Sequence, residues 1–122
     1  MQYTRLYADR KGQSHFERAV LELEESDYRP PAPAMLVSHA FDADSLQFVR
    51  LPAGWDGQSI CPPERQFLIC LSGQIEVTAS DGKKRRFGPG DAVLMEDISG
   101  KGHRTRVRGG DEFLAAVVPL ER

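Results

Sequence analysis

Residues 67–91 read FLICLSGQIEVTASDGKKRRFGPGD and carry the clearest structural signals in the chain. Residues 67–71 are almost wholly apolar, which is typical of a short strand buried in a core. Residues 74–79 alternate polar and apolar side chains, the period-two pattern of a strand with one buried face. Residues 80–82 (Ser-Asp-Gly) and 88–91 (Gly-Pro-Gly-Asp) predict turns. This stretch therefore predicts short strands joined by tight turns.

The rest of the chain has the same short strand-like runs, separated by Gly, Pro and Asp. Residues 17–26 could be helical instead, and this alternative stays open. Residues 28–33 contain three prolines, and each fixes φ and biases its predecessor away from helix, so we expect an extended connector there. About eight to ten short strands without a convincing helix indicate an all-β sandwich or barrel. Further strands are predicted at residues 16–23, 35–37, 46–51, 83–87, 92–95, 103–107 and 113–118.

Composition limits the classes of function. The 122 residues fit one domain, and 40% hydrophobic residues suffice for a core. A net charge of −2, with both signs mixed, argues against nucleic-acid or anionic-membrane partners. The one basic run, residues 83–86, follows a turn and is expected to be a solvated hairpin arm, with contact to an anion or a partner as the alternative. Cys61 and Cys70 lack CxxC spacing and a secretory context, which predicts reduced thiols and a cytoplasmic protein. No apolar stretch approaches the ~18 residues that a membrane-spanning helix needs.

Residues 54–73 resemble the first sequence motif of the cupins. That motif is Gly, five residues, His-x-His, three residues, Glu, six residues and Gly. Here Gly54 and Gly73 stand at the two ends, and every spacing between them fits. Ile60 and Pro62 occupy the two histidine positions, and Gln66 occupies the carboxylate position. The frame of the motif is kept, while its metal-binding side chains are replaced.

The second cupin motif is Gly, five residues, Pro-x-Gly, two residues, His, three residues and Asn. Gly90 resembles its opening turn, and residues 96–98 stand at the Pro-x-Gly position. His103 comes two residues late, after the glycine-rich residues 99–102, and Val107 stands at the Asn position. The two motifs agree with each other, and the resemblance covers about residues 46–118.

The resemblance implies a small, single-domain, RmlC-like cupin spanning residues 1–122. Its fold would be an antiparallel jelly-roll barrel, also called a double-stranded β-helix. Residues 1–45 would supply N-terminal strands and the Pro-rich connector, and residues 46–118 the barrel core. The resemblance also implies an internal pocket and often a homodimer, and exposed sheet edges in so small a domain favour pairing of strands between subunits.

A typical cupin metal site uses three imidazoles and one carboxylate to bind a divalent ion such as Fe, Mn, Ni or Zn. At the matching positions this chain offers His103 and the neutral Gln66, which are too few ligands for a tight site. No cofactor is therefore predicted. Cys61, Glu96 and Asp97 are candidate replacement ligands that would restore a divalent-metal site if they reached the pocket. Asp97 could instead cap the glycine-rich loop.

Strand alternation predicts the pocket walls. If Gln66 faces the interior, then Leu68 and Cys70 do too, and His103 shares a face with Thr105. Phe48 is expected in the barrel wall. His15 and His39 lie on N-terminal strand candidates and would raise the number of metal ligands if either entered the barrel. The expected ligand-binding residues are Gln66, His103, Leu68, Cys70 and Phe48.

The predicted function is binding of a small, partly polar organic molecule in the barrel interior, without a tightly bound metal and without nucleic-acid or membrane partners. His103 is the candidate catalytic residue, because an imidazole can act as a general acid or base near neutral pH, and Gln66 would orient the ligand. One alternative is an enzyme: an isomerase or lyase, or a metal-dependent oxygenase with non-standard ligands. Another is a structural or partner-binding cupin with a filled pocket.

Overall fold

A computed structural model describes residues 1–27 and 29–121, and these residues form eleven strands. Residues 17–26 are not helical, because the second strand ends at Val20 and the third begins at Glu24. The described part of the chain holds no helix that is long and apolar enough to cross a membrane. The strands are β1 (Gln2–Ala8), β2 (Ser14–Val20), β3 (Glu24–Ser26), β4 (Met35–Val37), β5 (Gln47–Leu51), β6 (Gln66–Ser72), β7 (Gln74–Ala79), β8 (Lys84–Phe87), β9 (Ala92–Glu96), β10 (His103–Arg108) and β11 (Phe113–Pro119).

The strands form two larger sheets and one separate hairpin. The six-stranded sheet has the order β2-β1-β9-β6-β11-β5, the three-stranded sheet has the order β10-β7-β8, and β3 pairs with β4. Strand pairs are antiparallel except for β1 and β9, which run parallel. Since core side chains come from both larger sheets, the two sheets enclose one core. The all-β jelly-roll prediction is confirmed.

The core lies between the two larger sheets. On β7 the side chains of Ile75 and Val77 are fully buried, as the period-two pattern predicts. Facing them, Leu6 and Val93 are fully buried on the six-stranded sheet. Burial of each such side chain stabilises the fold by about 1.5–3 kcal/mol. Along each strand, the inward-facing residues beyond this core lie nearer the ends of the barrel.

A smaller apolar cluster lies on the outer face of the six-stranded sheet. Phe67 packs edge-to-face against Phe41, with ring centroids 5.0 Å apart. The chain on either side of Phe41 is held by backbone hydrogen bonds: the N–H of Asp44 donates to the carbonyl of Pro119, and the N–H of Glu121 donates to that of Asp42, both at 2.8 Å. The segment after β4 therefore covers part of this face.

The Pro-rich connector is not extended where it is described. The N–H of Ala32 donates to the carbonyl of Arg29 at 3.0 Å and closes a turn, so the prediction of an extended segment is wrong for residues 29–32. Tyr28, the first residue of the predicted connector, lies outside the described residues. A proline φ near −65° suits a turn as well as an extended chain, which explains the error.

Gly73 joins β6 to β7 and shows why the motif frame needs glycine. Its φ is +77°, and an added Cβ would lie 2.3 Å from the carbonyl oxygen of Glu112. Only glycine fits both the backbone conformation and the space. In the next hairpin, Lys84, Arg85 and Arg86 are exposed, so the basic run is a solvated strand arm as predicted.

Candidate functional site

A cavity of about 260 Å³ opens at one end of the barrel, between the two larger sheets. Three polar side chains line it, Gln66, His103 and Thr105, and the rest of its wall is apolar. The apolar lining residues are Val49, Leu51, Trp55, Ile60, Pro62, Pro63, Leu68, Ile75, Met95 and Phe113. Pockets for drug-sized ligands measure roughly 300–1,000 Å³, so this cavity suits a smaller molecule.

His103 begins β10 and is held from both sides. Its backbone exchanges two hydrogen bonds with Ile60, each 3.0 Å long, and its side chain is only 7% exposed. The preceding Gly102 has a φ of +68°, and a Cβ there would lie 2.2 Å from the carbonyl oxygen of Ile60. The glycine-rich loop can therefore pass close to Ile60 and present His103 in the cavity wall.

Asp97 orients the His103 ring. Its Oδ2 lies 2.6 Å from Nδ1 of His103, and Asp97 itself is fully buried. An ionised carboxylate only accepts hydrogen bonds, so Nδ1 donates, and in the neutral ring Nε2 keeps its lone pair. Asp97 Oδ1 has no hydrogen-bond partner among residues 1–27 and 29–121. The expected capping of the glycine loop by Asp97 is therefore wrong, because one carboxylate oxygen binds His103 and the other binds none of the described groups.

Glu96 points away from the cavity. On β9, Met95 faces inward and Glu96 outward, where it binds Arg5 and accepts from Nε of Arg65 at 2.6 Å. Partial burial opposes ionisation of Glu96, but the two guanidinium groups hold the pKa of this carboxyl below its usual value. The loop that is two residues longer than in the motif thus brings Asp97 to His103 and leaves Glu96 in a cross-strand ion pair. The prediction of Glu96 as a replacement metal ligand is therefore wrong.

Two of the predicted ligand-binding residues of β6 reach the cavity, and one does not. Gln66 and Leu68 line it, as alternation predicted. Cys70 shares their face but is 1% exposed in the core, deeper than the cavity wall. Burial, with a smaller effect from the charge of Asp91, raises the pKa of its thiol to about 12. Cys70 is therefore a core residue rather than a ligand contact.

The placement of Phe48 in the pocket is also wrong. Phe48 is 68% exposed on the outer face of β5, while Val49 and Leu51 line the cavity. The sequence contains a signal for the outward orientation of Phe48. Phe48 shares its face with Arg50, and a charged neighbour two residues away marks the solvent side of a strand.

The cavity does not contain a ligand set that fits a divalent metal. Ile60 and Pro62, at the histidine positions of the first motif, do line it, and their side chains cannot coordinate. Cys61 lies outside the lining, with its Sγ 3.4 Å from the carbonyl oxygen of Gly100. His15 contacts Asp9 and Asp81, and His39 stacks on Phe41. The part of the chain that the structure describes has no group of three or more His, Cys, Asp or Glu side chains suited to a metal.

The contact between Asp97 and His103 is the functional feature that sequence reasoning missed. From the sequence alone, Asp97 is a candidate metal ligand or loop cap. The face shared by His103 and Thr105, in contrast, was predicted and is observed, since both line the cavity.

Comparison with known proteins supports the fold. The family model described as "Cupin domain" matches residues 47–119. No curated protein matches the sequence. Among solved structures, the Cnp3 cupin domain of Schizosaccharomyces pombe superposes with a TM-score of 0.51 and 15% identity, covering 88% of this chain and 73% of that chain. A conserved protein of unknown function from Streptococcus pyogenes gives a TM-score of 0.46 and 20% identity, over 71% and 70% of the two chains. At 15% identity, the likeness to the yeast domain concerns the fold alone.

Proposed function

The chain belongs to the cupin family, and from this premise we propose that it binds a small, largely apolar organic molecule in the cavity at the end of its barrel, without a tightly bound metal. The observation that carries the proposal is the composition of the cavity wall. Ten apolar residues surround one oriented histidine, and Gln66 and Thr105 add two neutral polar groups. Few convergent polar groups in an apolar wall are typical of small-molecule sites.

The polar groups indicate which ligand would bind. Nε2 of neutral His103 is an acceptor, because Asp97 takes the hydrogen bond of Nδ1. The ligand should therefore present a hydroxyl or N–H donor to His103. Gln66 and Thr105 can each donate and accept, so they tolerate a second polar atom. The remaining contacts require an apolar body that is smaller than a drug-sized molecule.

The residues at the motif positions support a metal-independent site. Where the cupin motif supplies two histidines and a carboxylate, this cavity presents Ile60, Pro62 and Gln66. Aliphatic side chains at two former ligand positions convert that part of the wall into a contact surface for an organic molecule. Elemental analysis of protein purified without an affinity tag checks this point. Stoichiometric Fe, Mn, Ni or Zn would contradict it.

Titration of ¹⁵N-labelled protein with p-cresol, indole and cyclohexanol tests the binding proposal. We expect saturable chemical-shift changes at Gln66, His103 and Thr105 with at least one of these donors. His103→Ala should raise the dissociation constant about tenfold, the effect of losing one hydrogen bond. His39→Ala is the matched control, because His39 stacks on Phe41 and lies outside the cavity. The proposal fails if folded wild-type protein shows no saturable change at the cavity with any of the probes.

The Asp97–His103 pair favours a second candidate function, acid–base catalysis on the bound molecule. A proton would pass from the substrate to Nε2 of His103, and the buried carboxylate of Asp97 would stabilise the resulting imidazolium. This step needs no metal. It does need the neutral ring to hold its proton on Nδ1 before the reaction, which is a measurable property of the free protein.

A further inference from the structure

A second cleft, of about 230 Å³, lies between β2 of the six-stranded sheet and β8 of the three-stranded sheet. It shares no lining residue with the cavity at His103. Its wall includes three arginines, Arg18, Arg85 and Arg86, together with Thr4 and the core residue Phe87. The concentration of guanidinium groups in one cleft is unexpected in a chain whose net charge is −2.

Two of these arginines line the cleft from different sheets. Arg18 lies two residues after Phe16, so both side chains share the face of β2 that packs toward the core. Arg85 lies two residues before Phe87 on the inner face of β8. The Cζ of Arg85 sits 5.5 Å from the centroid of the Phe16 ring, which brings it across the gap between the sheets. Phe16 and Arg18 are about 7 Å apart along the strand, and Arg18 and Arg85 both line the cleft.

The cleft is lined by three arginines and one carboxylate, Asp91, so positive charge is in excess there. Within residues 1–27 and 29–121, neither Arg18 nor Arg85 takes part in a salt bridge. Arg86 is engaged elsewhere, with its Nε 3.8 Å from Oε2 of Glu76. Asp91 also lines the cleft, but its Oδ2 accepts from the N–H of Gly88 at 2.8 Å. Positive charges that line one cleft repel each other, and a bound anion would relieve the repulsion.

We propose that this cleft binds the phosphate group of a small phosphorylated molecule between Arg18 and Arg85. A guanidinium group presents a planar fork of donors that matches phosphate and carboxylate oxygens. Guanidinium groups from two different sheets suit a tetrahedral phosphate better than a planar carboxylate, because a phosphate has oxygens on every side. The ring of Phe87 in the cleft wall provides an apolar contact for the organic part of such a molecule.

Titration of ¹⁵N-labelled protein with inorganic phosphate and with phenyl phosphate, at constant ionic strength, tests the proposal. We expect saturable shifts confined to the residues that line the cleft. Arg18→Gln and Arg85→Gln should each raise the dissociation constant about tenfold or more, since each removes charge-assisted hydrogen bonds. Arg50→Gln is the matched control, because Arg50 is an exposed arginine on β5, at the opposite edge of the same sheet. Tighter binding of phenyl phosphate identifies the ester as the ligand, whereas equal affinities identify the phosphate alone.

Several results would overturn the proposal. The same shifts with sodium chloride, or shifts spread over all basic residues, would show non-specific screening. Unchanged affinity in both arginine variants would place the anion elsewhere, and absence of saturable binding to the wild type would exclude the site. Since the cleft and the His103 cavity share no residue, Arg18→Gln leaves p-cresol binding intact, and the two proposals fail independently.

Discussion

The carboxylate of Asp97 is fully buried, and only its Oδ2 has a hydrogen-bond partner among the described residues, Nδ1 of His103. A buried carboxylate with an unsatisfied oxygen is costly, since its lost hydration is only partly replaced. An apolar residue of similar size would avoid that cost. The pair stands in the wall of an open cavity, where orientation of an imidazole serves ligand binding or proton transfer.

At the scale of single residues, the contact with Asp97 predicts the tautomer of His103. At a pH where the ring is neutral, wild-type His103 should carry its proton on Nδ1, because Asp97 accepts from that atom. Asp97→Ala removes the acceptor and should shift the ring toward the Nε2–H tautomer that histidine prefers in water. Long-range ¹H–¹⁵N correlation spectra report both forms. His39, which stacks on Phe41, serves as the internal control. An Nε2–H ring in the wild type, or no change in the variant, would contradict the proposed role of Asp97.

The sequence predicts part of this site. The motif spacing identified Gln66 and His103, and alternation identified Leu68 and Thr105, because both rules are local. The contact with Asp97 depends on the path of residues 98–102. In that loop an added Cβ on Gly100 would lie 2.4 Å from the carbonyl oxygen of Gly12, on the β1–β2 turn. A loop whose course depends on a residue so distant in sequence cannot be derived from local patterns.

At the scale of elements, two hairpin turns and the glycine-rich loop meet at one end of the barrel. Ser14, at the start of β2, exchanges hydrogen bonds of 2.7 Å with Ser80 in the β7–β8 turn. The hydroxyl of Ser14 also donates to the carbonyl of Gly102 at 2.7 Å. His15 lies between Asp9 of the β1–β2 turn and Asp81 of the β7–β8 turn. This turn cluster anchors the loop that leads into His103.

His15 should make the stability of this cluster depend on pH. Its Nε2 lies 2.7 Å from Asp9 and its Nδ1 3.0 Å from Asp81, so only the protonated ring donates to both. The hydrogen bond to Asp9, despite opposing desolvation, raises the pKa of His15 above its usual value. Because the pKa of His15 is higher in the folded state, protonated His15 stabilises the fold. This stabilisation is complete below the pKa of the unfolded state, about 6.5, and is lost as pH rises through the pKa of the folded state.

Urea unfolding of the wild type and His15→Gln from about pH 5.5 to 8.5 measures this dependence. The difference in free energy of unfolding should be largest at the acidic end and shrink as pH rises. The hydrogen bond from His15 also lowers the pKa of Asp9. The Asp9 carboxylate therefore stays ionised across this pH range and does not alter the expected direction of the change in stability. Lys101 also approaches this cluster, with its Nζ 3.2 Å from Oε1 of Gln13. A difference that is flat, or that grows with pH, would contradict the assignment.

The positions of the strands along the chain are easier to predict than which strands pair with each other. The period-two pattern predicts β7 over the residues observed, and the apolar run and the turn signals predict β6 and β8 within one residue at each end. β1 was not predicted, because residues 1–10 look polar and charged. Its Arg5 is balanced by Glu96 on the parallel neighbour β9, and its Leu6 is fully buried. A cross-strand ion pair between residues this far apart leaves no trace in a local pattern.

At the scale of the whole molecule, the outer face of the six-stranded sheet is only partly covered. Phe41 and its neighbours pack over Phe67, but an apolar stripe at the other side remains exposed. Phe48 on β5 is paired with Ala116 on β11, which in turn is paired with Ile69 on β6. Phe48 and Ile69 are 68% and 38% exposed. This stripe runs to β5, which is an edge of the described sheet and has unpaired backbone groups.

We expect β5 to pair with β5 of a second copy and to form a homodimer. An antiparallel pair centred on Val49 would place each Phe48 opposite Arg50 of the other copy, so no like charges meet and the aromatic stripes become continuous. Light scattering during size-exclusion chromatography should give twice the 13.6 kDa of one chain. Phe48→Lys should give the monomer mass, because it puts charge into the interface. Val20→Lys is the control, since Val20 is 65% exposed on β2, at the opposite edge. A monomeric wild type, or a Phe48→Lys variant that remains dimeric, would exclude this face as the interface.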